Sequence, residues 1–421
     1  MYIMNESKLM IYGAYGYSGE LMVREALKQG IKPIIAGRVA EKLAPIANEL
    51  NLEYRVFNVK DASGYLQDVT VLLNCAGPFS ATAEVLVKAC LTQKVHYLDI
   101  TGEIDVFRKC YALDNEAKKQ HIIIMPGVGT DIAPTDCLAA MLKEKLPAAT
   151  RIDLAFSFGT SPSIGTVKTS IESMGKGGLI RENGRLKTVP NAYRMKKIPF
   201  QNQPQWAVTI PWGDVFTSGI STGVPDGMVY MAMSKPSIYI LRLSNPFKGI
   251  INTRFGQDLA KNLASKFIKK GPDGQARETQ RGQFWGEAEA PGGDKVEMTM
   301  STPNVYSLTV EAGIRIAKYC LGNHGKSGYY TPSMLLGSHF IDSIPGIDIR
   351  ILKFSQNDFC YFFRTEGVLT GNQIAVHHDF RRHRYKGFTV IGTSLFQCLF
   401  KIKRYFLFPP CQNFFKPAIS G

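Results

Sequence analysis

The segment KLMIYGAYGYSG, at residues 8–19, decides the fold of this 421-residue chain. A short apolar strand runs into a turn in which Gly13, Gly16 and Gly19 are spaced G-x-x-G-x-x-G, a variant of the dinucleotide-binding pattern G-x-G-x-x-G. Gly13 permits the tight turn, Gly16 lets backbone N–H groups approach a pyrophosphate, and Gly19 lets the next helix pack closely on the strand. That helix is predicted over residues 18–29, and its N-terminus favours bound phosphate. The alternative is a turn with a structural role alone.

Strands and helices alternate through the first part of the chain. Further strands are predicted at residues 32–37, 53–58, 69–76, 96–100 and 121–125, and helices at residues 39–50, 81–93 and 104–120. This order is typical of a doubly wound parallel sheet, and the near-continuous apolar strands fit a sheet that is covered on both faces. The chain is therefore predicted to be an α/β protein with a Rossmann-type domain at residues 1–130.

The pattern changes after residue 130. A glycine-rich connection at 127–134 precedes a predicted helix at 136–146, and alternating segments from Arg151 onward predict a largely antiparallel second sheet. A further helix is predicted at residues 305–321. We therefore expect an α+β substrate domain at residues 131–350, followed by a basic, aromatic-rich tail of unassigned structure at residues 351–421.

The charge balance points to anionic partners. The formal net charge is +15, which favours phosphates, nucleic acid, acidic lipids or an acidic carrier protein. The sequence contains no zinc-finger spacing, RNP-like motif or helix-turn-helix pattern, so nucleic acid is not an expected partner.

In the tail, the basic segment DFRRHRYK at 379–386 precedes an apolar run, and the tail is either a peripheral membrane contact or a segment without a role. Self-association into an oligomer is compatible with the sequence.

The cysteines and the N-terminal residues indicate the cellular compartment in which the protein is expected. None of the eight cysteines forms a C-x-x-C pair, and several lie in apolar segments, which favours buried thiols in a reducing compartment. No signal peptide is recognised, and no apolar run is long enough to predict a membrane span. We expect a cytoplasmic or peripheral membrane protein. The tail histidines His377, His378 and His383 have no acid or cysteine at matching spacing, so no metal site is predicted.

Arg38 directly follows the second predicted strand. In a dinucleotide fold, an acid near this position binds the adenosine ribose hydroxyls of NAD, whereas Gly37 leaves room here and Arg38 offers a planar fork suited to a 2′-phosphate. Lys42, one helical turn later, adds positive charge. These residues predict NADP(H) as the cofactor. The alternative for Arg38 is a solvated surface charge.

The fourth strand ends in NCAGPF at residues 74–79, where the small residues allow the nicotinamide half of the cofactor to approach the backbone. The Tyr15 and Tyr17 rings are interpreted as packing or cofactor-shielding groups. The predicted cofactor site comprises Gly13, Tyr15, Gly16, Tyr17, Ser18, Gly19, Arg38, Lys42, Asn74, Cys75, Ala76, Gly77, Pro78 and Phe79.

Two acids follow the fifth strand, in HYLDITGE at residues 96–103. Asp99 and Glu103 lie where active sites of this architecture form, so either is a candidate acid, base or substrate-orienting group. The favoured interpretation is structural, with Thr101 or Glu103 capping the helix that follows.

The order of these motifs resembles the saccharopine dehydrogenase-like family, and within it the trans-acting enoyl reductase branch. The motifs that carry the resemblance are GAYGYSG at 13–19, AGR at 36–38, NCAGPF at 74–79, HYLDITGE at 96–103, PGVGTDIAPTD at 126–136, FGTSPSIGTVKTSIESM at 158–174, GPDGQARETQRGQFWGEA at 271–288 and GYYTPSMLLG at 328–337. The resemblance covers residues 7–346. The chain departs from the family at Tyr15, where threonine is usual, at a missing glycine in SPSIGTVKT, and in the tail.

The resemblance implies NADPH-dependent hydride transfer. In the enoyl reductase branch the substrate is an enoyl thioester of lipid or polyketide type, free or on a carrier, and its oxyanion needs a hydrogen-bond donor. Backbone N–H groups at 159–165, Ser161, Ser163 and Lys168 are the candidate donors, and Asp99 is a further catalytic candidate.

Two other functions compete with the enoyl reductase. A saccharopine-reductase-like amino-acid dehydrogenase would need cationic clamps for carboxylates, for which Arg181, Arg185, Arg254 and Arg277 are available. A non-catalytic NADP-binding protein would dock on a membrane or lipid droplet through its tail.

Overall fold

The computed structural model of the chain describes residues 7–158, 177–247, 280–322 and 324–354, together with the single positions 249, 253 and 256. All of them belong to one compact unit, residues 1–362. The second unit, residues 363–421, lies outside the described residues, and so does nearly all of the predicted tail.

The described strands and helices, numbered in chain order, have the following bounds. The strands are β1 Leu9–Tyr12, β2 Ile34–Gly37, β3 Tyr54–Val56, β4 Val71–Asn74, β5 His96–Asp99, β6 Ile123–Met125, β7 Arg151–Ser157, β8 Gly178–Glu182, β9 Arg185–Val189, β10 Met195–Pro199, β11 Pro204–Thr209, β12 Asp226–Ala232, β13 Gly282–Glu289, β14 Lys295–Thr302, β15 Gly328–Tyr329 and β16 Asp348–Phe354. The helices are α1 Tyr17–Lys28, α2 Ala40–Leu50, α3 Phe79–Gln93, α4 Ile104–Ala112, α5 Asp114–Gln120, α6 Ala133–Lys145, α7 Asp214–Thr222, α8 Lys235–Leu243, α9 Val305–Leu321 and α10 Pro332–Leu336.

The first sheet is parallel and doubly wound, as predicted. Within the described residues its order is β15-β6-β5-β4-β1-β2-β3, and every neighbouring pair runs parallel. The chain proceeds from β1 to β2 and β3 on one side and returns to β4, β5 and β6 on the other. The order therefore reverses between β1 and β4, and this switch point is where ligands bind in open α/β sheets.

Strand β1 shows why these apolar segments form a sheet covered on both faces. Its four residues are all buried, and successive side chains point to opposite faces. Met10 and Tyr12 pack in the core beneath α3, whereas Leu9 and Ile11 pack in the core beneath α1 and α9. A continuous apolar run thus fills two cores at once.

The helix predicted over residues 104–120 is two helices in the structure. It ends at Ala112 and resumes at Asp114, which begins α5. The Asp114 carboxylate accepts hydrogen bonds from Tyr329 N at 2.8 Å and from Lys118 Nζ at 2.6 Å. The break therefore places Asp114 at the start of α5, where its carboxylate holds β15 at the edge of the sheet. This contact joins residues that are far apart in sequence.

The second sheet is mixed. Its described strands follow the order β10-β11-β12-β7-β13-β14-β16, with the hairpin β8–β9 attached to β12. Only the β7–β12 pair is parallel among the described pairs, so the predicted largely antiparallel sheet is confirmed. Helix α6 covers this sheet, and its Leu142 side chain lies 2.6 Å from where a Cβ on Gly286 of β13 would stand.

The chain returns to the first sheet after the second one. Helix α9, whose bounds match the prediction, packs so closely on α1 that a Cβ on Gly313 would lie 2.7 Å from Met22 Cε. Strand β15 then extends the first sheet beside β6. The domain boundaries at residues 130 and 350 stay predictions.

A methyl group added at Gly19 tests how closely α1 packs on β1. In Gly19→Ala the new Cβ would lie 2.2 Å from the Gly13 carbonyl oxygen, which is backbone and cannot turn away. We expect the free energy of unfolding to fall by about 1–3 kcal/mol, the usual cost of overpacking. Urea denaturation of the purified chain measures it.

Gly64→Ala is the matched control, because nothing lies within 4 Å of the new methyl group. Its stability should change by no more than about 0.5 kcal/mol. Equal effects of the two substitutions would show that the α1–β1 contact is not tight.

Candidate active site

The turn after β1 is held by backbone hydrogen bonds. Gly13 has a φ of +82°, and its N–H donates to the Ala36 carbonyl at 2.7 Å, which joins the ends of β1 and β2. Gly16 N donates to the Gly13 carbonyl at 2.9 Å and occupies the N-cap position of α1. Because Gly16 has no side chain, no capping group competes with an anion at this helix terminus.

The same turn touches the loop after β4. A Cβ on Gly13 would lie 2.9 Å from Ala76 N, so only glycine fits at the switch point. The buried Asn74 shapes this loop, since its Oδ1 accepts from Ala76 N at 3.0 Å and its Nδ2 donates to Thr82 Oγ1 at 3.1 Å. The structure therefore brings together two segments that the sequence predicted for the cofactor.

Arg38 stands at the end of β2 as an exposed cation. The Tyr15 ring lies against the neighbouring glycine, because a Cβ on Gly37 would be 2.5 Å from Tyr15 Cε1. Lys42 Nζ lies 5.5 Å from the centroid of the same ring. Across the described part of the chain, Arg38 has no hydrogen-bond or ion-pair partner. An unpaired guanidinium at the end of β2 fits a phosphate on an adenosine ribose.

Glu103 has a different role from the predicted one. It occupies the N-cap position of α4, but its side chain does not cap that helix. Its two carboxylate oxygens accept from Phe79 N at 3.0 Å and Ser80 N at 2.9 Å, so they cap α3 instead. Thr101 Oγ1 accepts from Glu103 N at 3.0 Å. The reason is tertiary, since the adjacent strands β4 and β5 bring the start of α3 beside this loop.

Asp99 joins the ends of β5 and β6. Its Oδ1 accepts from the N–H groups of Thr101 and Gly127, both at 3.0 Å, and its Oδ2 accepts from the Tyr97 hydroxyl at 2.8 Å. Burial raises the pKa of Asp99 to about 6. The side chain has no solvent contact and both oxygens are occupied, which is the arrangement of a positioning residue. A catalytic role for Asp99 stays a prediction.

Asp131 is a candidate that the sequence analysis missed. It lies in the loop after β6, partly buried, and its Oδ2 is 3.3 Å from where a Cβ on Gly102 would stand. Its backbone carbonyl accepts from Trp212 Nε1 at 3.0 Å. Its carboxyl group finds no hydrogen-bond partner among the residues that the structure describes.

Burial raises the pKa of Asp131 to about 7. A carboxyl that titrates near neutral pH, at the carboxyl ends of parallel strands, is suited to proton transfer. The available sequence signal was an acid in the glycine-rich connection that follows β6, a segment that was used for the family resemblance but was assigned no site residue.

The other predicted catalytic groups lie outside the described residues. These are the N–H groups at 159–165, Ser161, Ser163 and Lys168. Among the predicted carboxylate clamps, Arg254 and Arg277 also lie outside them.

The two described arginines of that group have other surroundings. Arg181 is buried and donates hydrogen bonds to the backbone carbonyls of Val215 and Val224, so its guanidinium ties α7 to the β8–β9 hairpin. Arg185 is exposed at the start of β9.

Comparison with known proteins finds a family match for most of the first sheet. Residues 9–125 match the family model of the saccharopine dehydrogenase NADP binding domain. The saccharopine dehydrogenase-like oxidoreductase of Bos taurus is 23% identical over 220 residues, which are 45% of this chain and 50% of that protein. The lipid droplet localized protein of Caenorhabditis elegans is 25% identical over 161 residues, 34% of this chain and 37% of that protein. The matches to the mammalian relatives span about half of those proteins.

A solved structure shares the fold. It is the apo saccharopine dehydrogenase (L-Glu forming) of Saccharomyces cerevisiae, with a TM-score of 0.57 and 11% sequence identity. The similarity covers 82% of this chain and 100% of the yeast chain. The NADP(H) cofactor is confirmed by the family match, whereas the individual cofactor-binding residues stay predictions.

Arg38→Ala tests the residue assigned to the 2′-phosphate. Loss of a charged hydrogen bond should weaken NADPH binding by about 1.5–3 kcal/mol, roughly 10- to 100-fold, and leave NADH binding nearly unchanged. Titration of both nucleotides against protein fluorescence measures the two affinities.

Arg108→Ala, which removes an exposed arginine from α4, is the control and should change neither affinity. Equal affinity of the parent chain for NADPH and NADH would contradict the role given to Arg38.

Proposed function

We propose that this chain is an NADPH-dependent oxidoreductase that reduces an activated double bond, because residues 9–125 match the family model of the saccharopine dehydrogenase NADP binding domain. The favoured substrate is an enoyl thioester of lipid or polyketide type. The observation that carries the proposal is that two features follow the carboxyl ends of parallel strands in the first sheet. These are the turn at Gly13 and Gly16, which we call the glycine cradle, and the partnerless Asp131 carboxyl.

The chain offers a group for each part of the cofactor. The turn at Gly13 and Gly16 would hold the pyrophosphate on the N-terminus of α1, and Arg38 with Lys42 would hold the 2′-phosphate. The loop at 74–79 would line the nicotinamide half. When bound, NADPH supplies a hydride.

Asp131 would supply the proton. Reduction of an enoyl thioester adds hydride to the β-carbon and a proton to the α-carbon, and the carboxyl of Asp131 holds its proton up to about pH 7. The burial that raises the pKa of Asp131 also strengthens the interaction of its carboxyl with a developing enolate. The Asp99 carboxylate accepts a hydrogen bond from Gly127 N, which keeps the loop that carries Asp131 in place.

An amino-acid dehydrogenase of the saccharopine-reductase type is the alternative. It also needs a proton donor, but its substrate carries several carboxylates that must be paired with cations. Arg181 already donates hydrogen bonds to two backbone carbonyls. This favours the enoyl substrate over the amino-acid substrate. A non-catalytic NADP-binding protein is the third possibility.

The proposed place of action is the cytoplasm and the membrane or lipid surfaces that border it. Support comes from the relative named as localized to lipid droplets and from the net charge of +15, which suits acidic lipids or an acidic acyl carrier. None of the described helices is both long enough and apolar enough to cross a bilayer.

NADPH oxidation provides the direct test of the reaction. The purified chain is assayed with enoyl thioesters on coenzyme A and on a carrier protein, and in parallel with 2-oxo acids plus amino acids. We expect turnover with an enoyl thioester, because Asp131 can supply the proton and the candidate clamp Arg181 is buried and donates to backbone carbonyls. Turnover with the amino-acid pair alone would establish the alternative, and no turnover with either would favour the non-catalytic protein.

Asp131→Asn tests the proton donor. The parent rate of reduction should fall as the pH rises through about 7, because the donor must be protonated and its pKa is about 7. The variant should lose about 10²–10⁴-fold in kcat, and its alkaline limb should disappear. The pH profile of kcat measures both effects.

Asp61→Asn, at an exposed acid far from this loop in sequence, should leave the pH profile unchanged. The NADPH affinity of Asp131→Asn should also equal that of the parent. An unchanged alkaline limb in Asp131→Asn would exclude this residue as the donor.

A further inference from the structure

Helix α8 presents an apolar face to solvent. Pro236, Tyr239, Ile240 and Leu243 are spaced i, i+3, i+4 and i+7, which places them on one side of the helix. The exposed fractions are 52% for Tyr239, 68% for Ile240 and 71% for Leu243, and the last two exceed those of all other exposed large apolar side chains in the described chain. Side chains of this size normally lie in a core.

The opposite side of α8 is packed in the protein. Ile238 is fully buried and Leu241 packs on the core of the second sheet, so the outer face cannot turn inward without losing this packing. The helix is therefore apolar on two sides, and a helix with that pattern normally has a second apolar environment.

A neighbouring loop extends this surface. Asn245 Oδ1 accepts from Asn191 N at 2.7 Å, and Asn245 Nδ2 donates to the Asn191 carbonyl at 3.0 Å. Arg242 Nε donates to the Ala192 carbonyl at 3.1 Å. These bonds hold Tyr193, which is 41% exposed, beside the end of α8. We call Tyr193 and the four apolar residues of the outer face the α8 surface.

The two segments that carry the α8 surface have charges of one sign. Residues 190–213 and 227–247 contain no aspartate or glutamate, whereas Arg194, Lys196, Lys197, Lys235 and Arg242 lie within them. Of these, Lys196 is paired with Glu287 of β13. Arg194 lies over the Tyr193 ring at 5.7 Å and Lys235 over the Trp206 ring at 4.6 Å, contacts that leave their positive charges unneutralised.

We propose that the α8 surface docks the protein on an anionic lipid surface, with Ile240 and Leu243 entering the acyl region. Basic residues around an apolar helix face bind acidic headgroups, and tyrosine is typical of the interface between headgroups and acyl chains. The absence of acids from both segments fits lipid phosphate and serine headgroups better than a partner protein, whose surface would carry charges of both signs. This proposal does not depend on the reaction or on the C-terminal tail.

Flotation of the full-length chain with vesicles tests the proposal. We expect binding to vesicles of phosphatidylcholine mixed with phosphatidylserine, weaker binding to phosphatidylcholine alone, and partial release at high salt. Equal binding to both vesicle types would overturn the proposal, because the basic residues would then have no part in it.

Ile240→Glu combined with Leu243→Glu removes the inserting groups. Vesicle affinity should fall about tenfold or more, because two apolar side chains are lost and two negative charges face acidic lipid. Leu352→Glu, at a leucine on β16 that is 46% exposed, is the matched control and should bind as the parent does. Parent-like binding of the double variant would overturn the proposal and direct attention to another surface, such as the basic tail.

Two further measurements distinguish docking from misfolding. The double variant should keep the NADPH affinity of the parent, since α8 belongs to the second sheet. In Tyr239→Trp, vesicles with brominated acyl chains should quench more tryptophan fluorescence than they do in the parent, which has three tryptophans elsewhere. No additional quenching in vesicle-bound protein would overturn the placement of α8 in the lipid.

Discussion

The contact between backbone and backbone at the switch point is the constraint on which the candidate site depends. A Cβ on Gly19 would lie 2.2 Å from the Gly13 carbonyl oxygen, and a Cβ on Gly13 would lie 2.9 Å from Ala76 N. No side chain therefore separates β1 from α1 or from the loop after β4. This closeness directs the N-terminus of α1 at the position where a pyrophosphate would lie.

Buried polar groups hold together the carboxyl ends of β4, β5 and β6, which form the other half of the candidate site. The Tyr97 hydroxyl accepts a hydrogen bond from Asn74 and donates one to Asp99, and Asp99 accepts two more from the loops after β5 and β6. The network joins the ends of three neighbouring strands, β4, β5 and β6. The position of Asp131 thus depends on a carboxyl that never meets solvent, and buried polar groups of this kind are costly unless fully paired.

Prediction from the sequence worked best where the signal is local. The glycine turn and the bounds of α9 follow from the spacing of neighbouring residues, and the structure agrees with both. The cap formed by Glu103 was assigned to the wrong helix, because the spacing of residues does not show that β4 lies beside β5. Asp131 was missed for a similar reason, since its position beside Gly102 and Trp212 is a contact with residues that are distant in sequence.

The sequence by itself determined the doubly wound sheet, the glycine cradle and the NADP(H) cofactor, because each depends on apolar periodicity or on residue types at short spacing. Only the tertiary structure decided that β15 returns to the first sheet, that Arg181 is committed to backbone carbonyls and that α8 leaves an apolar face in solvent. Those three outcomes depend on burial and on hydrogen-bond partners. Both are properties of contacts between residues far apart in the chain, which no local pattern records.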